Sequence, residues 1–378
     1  MNRILLAFLL VICVTGVQAQ TYTVTDLGPL SPTAINIRGQ VVGNYKNQAY
    51  IWDNWRGMQS LGTLPGGTSS YAASINDLGV VTGTAVAPGT VISPYSNLPN
   101  QECSDLTQPF VWTPPKGMLA LGSVAPPFSA AFYWCAYAFY GTDINDLGQV
   151  VGYDVGPDFY MFALLWTSAQ GMTSFGDTWP PSAANGVNNM GQIVGQDATF
   201  ELWEAGNGLA TSWTNGVATD LGTLGGADVV NYSSAANGVN DLGQVVGWST
   251  TTPVRCYPPN EETCPMHAVL WTRSETILDL GTLPGDTLST ALKINLFGQV
   301  IGSSGNSMSL SQHLATITVI GRPFVWSEHS EMADLNTLIR SGSGWVLNSV
   351  SDINFWGQIV GSGTFDGETH GFLLTPKL

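Results

Sequence analysis

The nine-residue element "INDLGQVVG" (144–152) is written seven times with small changes, and this repetition limits the possible folds more than any other feature. The other copies are "INIRGQVVG" (35–43), "INDLGVVTG" (75–83), "VNNMGQIVG" (187–195), "VNDLGQVVG" (239–247), "INLFGQVIG" (294–302) and "INFWGQIVG" (353–361). A unit recurring along one chain builds stacked or circularly arranged copies, so architecture comes before chemistry. Asn favours the first position of a type I turn through its side chain, and Gly takes the left-handed conformation that closes the turn into a bulge. Each copy therefore predicts a tight hairpin.

An apolar stretch follows each copy: "AYIW" (49–52), "PFVW" (109–112), "ALLW" (163–166), "ATSW" (210–213), "AVLW" (268–271), "PFVW" (323–326) and "GFLL" (371–374). Short runs rich in β-branched and aromatic residues, bordered by Gly and Pro, read as strands. A second turn follows at pairs such as Arg56-Gly57, Lys116-Gly117, Gln170-Gly171 and Asn215-Gly216, before a strand resembling "DLGTL". No window keeps a helical period, so almost no helix is expected. One repeat is then four antiparallel strands, a to d, and the chain is an all-β, seven-bladed β-propeller. "YTVTDLGPL" (22–30) is a d strand with no blade before it, and the chain ends on a c strand at "HGFLLTPKL" (370–378). Pairing the N-terminal strand into the last blade completes the ring and leaves no open edge. A linear solenoid would need caps at both ends instead.

Residues 1–19 carry Arg3, an apolar run from Ile4 to Val14 and "VQA", which reads as a secretory signal cleaved after Ala19, leaving one domain of residues 20–378. A lipid anchor on Cys13 is disfavoured because Ile12 precedes it. No later segment is long and apolar enough to span a bilayer, so the product is expected to be secreted, extracellular or periplasmic, and monomeric. Cleavage leaves 10 basic against 27 acidic residues, a net charge of −17, which excludes nucleic acid as a partner class. Four cysteines remain, in a chain bound for an oxidising compartment. Their spacing does not suit zinc, and the pairs Cys103–Cys135 and Cys256–Cys264 read as disulfides. No metal or other cofactor is implied.

The repeat resembles the bacterial extracellular HAF repeat family, named for its His-Ala-Phe tripeptide. The resemblance rests on "INDLGQVVG", on "HAVLW" from His267 and on "TDLGTLGG" (219–226), and only His267 and His370 keep the histidine. It implies a secreted repeat protein and no particular reaction.

Loop lengths carry the functional information. From motif Asn to closing Gly is seven residues in every copy, whereas closing Gly to the end of strand c runs from 9 to 29, and strand d to the next motif Asn from 8 to 23. The variation falls in the b–c and d–a connections, which share one face of an up-and-down blade. Binding on a rigid scaffold concentrates in such loops. Blade 2 has the longest b–c connection and is followed by the longest d–a connection, which places a ligand site between blades 2 and 3. There "APPFSAAFYWCAYAFY" (125–140) offers Phe132, Tyr133, Trp134, Tyr137 and Tyr140 as a stacking platform, the alternative being a local apolar cluster. The recurrent Trp52, Trp112, Trp166, Trp213, Trp271 and Trp326 read as packing. Asp77, Asp146 and Asp241 follow the motif Asn and read as solvated turns, since they lack the dense acidic spacing of a calcium site.

Asp143, Lys293 and Asp352 stand two residues before their motif Asn, where the other copies have Ala34, Ser74, Gly186 and Gly238. At the axis they would form an ion pair or serve as acid, base and charge partner. No catalytic signature is present, and His313 and His329 lie outside the repeats. The leading expectation is a non-catalytic module binding a polysaccharide or protein through its loop-rich face. The alternative is an extracellular polysaccharide hydrolase or lyase using the three axial residues.

Overall fold

The computed structural model describes residues 21–87, 91–92, 102–103, 106–122, 138–155, 161–175, 182–197, 208–226, 232–253, 265–274, 276–311 and 316–377. Each motif folds as the hairpin its Asn and Gly demand. In the first, Gly39 N–H donates to the Asn36 oxygen (3.0 Å), Asn36 N–H donates to the Gln40 oxygen (3.1 Å), and Gly39 sits at φ +72°. The same pair of bonds closes the other six turns. The last glycine of the motif has a different cause. A Cβ there would lie 1.8 to 2.3 Å from a strand-a carbonyl oxygen in every copy. Strand a bulges opposite it, for example between Pro32 and Ala34 and between Ala236 and Gly238, and the bulge brings the two backbones together.

These hairpins extend into four-stranded antiparallel blades. Blade 1 is Ser31–Ile35, Val41–Tyr45, Gln48–Asp53 and Gly57–Gly62. Blade 2 is Ser70–Ile75, Val81–Ala87, Leu106–Thr113 and Gly117–Ala120, and blade 3 is Ala138–Ile144, Val150–Val155, Met161–Thr167 and Gly171–Phe175. Blade 4 is Ala183–Val187, Ile193–Asp197, Leu209–Thr214 and Val217–Asp220, and blade 5 is Ser234–Val239, Val245–Thr250, Met266–Trp271 and Ile277–Gly281. Blade 6 is Leu288–Ile294, Val300–Ser311, Thr316–Ser327 and Glu331–Asp334. Blade 7 is Trp345–Ile353, Ile359–Phe365 and Glu368–Pro376, completed by the N-terminal Tyr22–Asp26.

The fold is thus the seven-bladed propeller that the repeats predict, closed by pairing of Tyr22 with Pro376 through Asp26 with Phe372. Among the described residues the only helical element is a 3-10 turn at Leu335–Thr337. Apolar residues from neighbouring blades interlock: Val42, Ile51 and Leu61 of blade 1 meet Ala72, Val81 and Phe110 of blade 2. The recurrent tryptophans pack into these inter-blade clusters, with Trp213, Trp271 and Trp326 buried.

Candidate functional site

The innermost strands hold the ring together before they offer any chemistry. Each motif Asn Nδ2 donates to the main-chain oxygen of the motif Asn in the next blade. The distances are 3.1 Å from Asn36 to Asn76, 3.0 Å to Asn145, 2.9 Å to Asn188, 2.9 Å to Asn240, 2.9 Å to Asn295, 3.2 Å to Asn354 and 3.0 Å back to Asn36. All seven are buried. Each Oδ1 accepts the N–H groups two and four residues on, so one side chain both shapes its own turn and pins its neighbour.

The bulged residue of strand a adds a second link. Thr33, Thr142, Asn185, Asn237 and Ser351 donate to carbonyls of the following blade at 2.8 to 3.1 Å. The turn tips add a third. Asp77 accepts Ile37 N–H at 2.8 Å, Asp146 accepts Asp77 N–H at 2.9 Å, and Asp241 accepts Asn189 N–H at 2.8 Å. The aspartates read from sequence as solvated turns are therefore inter-blade acceptors. Burial, with the charges of Asp77 and Asp241, raises Asp146 against the lowering by Asp77 N–H and Asn189.

Asp143, Lys293 and Asp352 meet at the axis although they come from blades 3, 6 and 7. Lys293 Nζ lies 4.0 Å from Asp143 Oδ2, with the Lys side chain 27% and the Asp side chain 15% exposed. The small residues between them make this possible. A Cβ on Gly238 would lie 3.5 Å from Lys293 Cδ, and one on Gly186 would lie 3.6 Å from Asp143 Oδ2. The lysine thus passes blades 5 and 4 to reach blade 3. Burial pulls its ammonium down, but Asp143 and Asp352 outweigh this and hold it above the usual lysine range. Burial pushes Asp352 up to about 6, against lowering by Lys293 and two backbone N–H groups. Both carboxylates are occupied: Asp143 accepts Ser74 Oγ (2.6 Å), Ile144 N–H (3.0 Å) and Val187 N–H (3.0 Å), and Asp352 accepts Ile35 N–H (2.9 Å) and Ile353 N–H (2.8 Å).

A concave site opens on the loop-bearing face between blades 6 and 7, with a volume of about 1130 Å³. Unequal neighbours produce it. Strands b and c of blade 6 run for twelve residues each, while blade 7 turns back at Asp366 and Gly367 after a seven-residue strand b. The tall hairpin forms one wall. The inter-blade staple is missing at this seam, where Leu292 stands in the place of the polar donor and Val350 faces it in the lining. Trp345 lines the site beside Leu347 and Val319, its ring backed by Phe365 with centroids 4.9 Å apart. The rim is polar. Arg322 is held by Asp286 at 2.9 Å and Asp334 at 3.3 Å, whereas Arg340 is exposed and has no ion pair among the described residues.

The site expected between blades 2 and 3 falls mostly outside the described residues: Phe132, Tyr133, Trp134, Tyr137 and Cys135 do, as do Cys256, Cys264, His313 and residues 1–19. Cys103 is placed by its backbone in a two-residue strand opposite Val91, and its side chain is not described. Tyr140, in strand a of blade 3, packs against Tyr153 (5.2 Å) with Met161 and Ala183. His329 is exposed on the c–d turn of blade 6. His267 meets Asp279 at 2.9 Å, and His370 meets Asp26 at 2.8 Å, each joining strands c and d of its blade.

No protein-family model matches the chain, and no curated protein matches it. Solved structures match over nearly its whole length. A virginiamycin B lyase from Staphylococcus aureus is 10% identical over 93% of this chain and 99% of its own, with a TM-score of 0.51. A streptogramin B lyase is 10% identical over 94% and 98%, at 0.52, and the β-propeller domain of the Trilobed protease from Pyrococcus furiosus is 8% identical over 94% and 95%, at 0.51. These likenesses establish the propeller fold.

Proposed function

We propose that this protein is an extracellular, non-catalytic binding module that receives a polysaccharide chain or protein segment in the cleft between blades 6 and 7. The cleft itself carries the reading: a volume of about 1130 Å³, an aromatic and aliphatic lining, and a polar rim with one uncommitted guanidinium at Arg340. That combination is what ligand sites present. The occupied axial carboxylates favour binding over catalysis.

Val346 and Ile320 are exposed in the lining, so substituting them probes ligand contact without emptying the core. Screening against glycan and secreted-protein arrays should identify a ligand whose affinity falls about tenfold or more in Val346→Asp and Arg340→Ala, with an unchanged melting temperature. A ligand indifferent to both substitutions would place the site elsewhere.

One observation favours the enzyme alternative. Asp352, raised to about 6 beside Lys293, is an acid able to exchange a proton near neutral pH, and two of the matching folds are lyases by name. Turnover of an extracellular polysaccharide that disappears in folded Asp143→Asn/Asp352→Asn would establish a hydrolase or lyase.

A further inference from the structure

The turn face carries a second site, built where the chain closes. The residue two after each motif Asn points outward, and the seven are Arg38, Leu78, Leu147, Met190, Leu242, Phe297 and Trp356. Trp356 alone in this set is an indole, and it is 60% exposed. Its Nε1 donates to the Ile37 oxygen at 2.9 Å, across the seam between blades 7 and 1, which fixes the ring. On the neighbouring c–d turn of blade 1 stands Trp55, 93% exposed. The residues before the matching turn pairs in blades 2, 3 and 4 are Pro115, Ala169 and Thr214, so the repeat does not require an indole there. Tryptophan is highly buried on average, and one this exposed contributes nothing to the core.

Both indoles line a groove of about 780 Å³ at this seam. Hydroxyl and amide groups of Thr25, Gln40, Asn54, Gln358 and Thr375 stand in its lining beside the apolar Ile37, Trp52 and Leu373. Thr25 Oγ1, Gln40 Nε2 and the Asn54 side chain have no hydrogen-bond partner among the described residues, and each lies in the lining. The lining holds one charged group of each sign, Arg38 and Asp53, and each is hydrogen-bonded within the protein. Arg38 donates to the Asp77 carbonyl oxygen, and Asp53 accepts the N–H groups of Trp55 (2.9 Å) and Arg56 (2.7 Å). The protein carries a net charge of −16, which repels polyanions.

We infer that this seam is a binding site for a neutral saccharide chain, separate from the cleft between blades 6 and 7. Sugar rings present an apolar face that packs on an indole and a hydroxyl edge that needs amide and hydroxyl partners, and the groove supplies both. An uncharged ligand matches a groove whose lining carries one cation and one anion and so no net charge.

The test uses the full chain and a panel of neutral soluble oligosaccharides: cello-, xylo-, malto-, laminari- and chito-oligosaccharides. Binding is followed by calorimetry and by tryptophan emission. At least one oligosaccharide should bind and perturb the emission, and Trp55→Ala should weaken it about tenfold or more without moving the melting temperature. Trp356→Leu, the residue that blades 2, 3 and 5 carry at this position, should weaken it similarly while keeping the turn. Val346→Asp and Arg340→Ala, on the opposite face, should leave this binding intact. Absence of binding across the panel, or binding lost in Val346→Asp but retained in Trp55→Ala, would overturn the inference. The second of these outcomes would support the blade 6–7 cleft instead.

Discussion

The two faces of the ring are made from the same strands and follow opposite rules. On the turn face every motif hairpin has the same length, and its Asn reaches into the next blade. On the loop-bearing face the tight b–c turns of blades 1 and 7 contrast with the twelve-residue strands of blade 6. A position serving two blades at once leaves no room for change, whereas a connection serving none accepts insertion. The difference teaches where to look for function: at unequal neighbours on one face, and on the other at the place where a uniform set breaks its own pattern, as Trp356 and Trp55 do.

The sharpest way to break this comparison is to remove one pin. Asn240→Ala deletes donations to Asn295 (2.9 Å) and Gln244 (2.8 Å) and leaves the Leu242 and Gln244 N–H groups without their acceptor. Several buried hydrogen bonds lost together should cost about 3–5 kcal/mol. Chemical denaturation measures it, and a cost below ~1 kcal/mol would mean that the pins are redundant.

A smaller effect is expected on the loop-bearing side of blade 3. Burial pushes Asp154 up to about 6, with Phe162 N–H donating to it at 2.8 Å. A folded value above the unfolded one means that the stabilising proton is fully bound at acid pH and lost as pH rises through about 6. Asn keeps an acceptor for Phe162 and carries no charge. Asp154→Asn should therefore stabilise the protein at pH 7.5 by up to ~3 kcal/mol, with the gain fading toward pH 4. Melting curves of both proteins at the two pH values decide it, and a pH-independent difference would rule out the buried charge as cause.

The smallest effect sharpens the contrast within the turn face. Leu147 occupies the outward position two after its motif Asn and is exposed, so Leu147→Ser should change stability by less than ~0.5 kcal/mol. A larger loss would show that the outward ring shares in the packing.

Much of the fold was legible because its signals are local. The turn chemistry of Asn and Gly, the strand periodicity and the matching deficits at the two ends lie within single repeats or at the termini. The pins were not legible, because Asn36 and Asn76 act through a contact forty residues away in sequence and look like ordinary turn residues. The bulge staple left no pattern either, since Thr33, Asn185, Ser351, Ala73 and Leu292 all occupy that place. Asp143, Lys293 and Asp352 showed as exceptions among small residues, while the path of Lys293 past Gly238 and Gly186 emerges only in three dimensions. Loop length pointed to blades 2 and 3. The cleft forms instead where, among the described residues, the long hairpin of blade 6 stands beside the short turn of blade 7.

The asparagine circuit has no first or last member. Each link has the same donor, acceptor and direction, including the one that joins Asn354 to Asn36. Nothing in the circuit records where translation begins. The two ends of the ring-forming segment meet as well, Lys377 N–H donating to the Thr21 oxygen at 2.8 Å. A circularly permuted chain that splices these ends and opens at Asn215 and Gly216, an exposed c–d turn of equivalent position, inherits an identical circuit with its seam moved to blade 4. The starting residue is a matter of gene order, and the ring is indifferent to it.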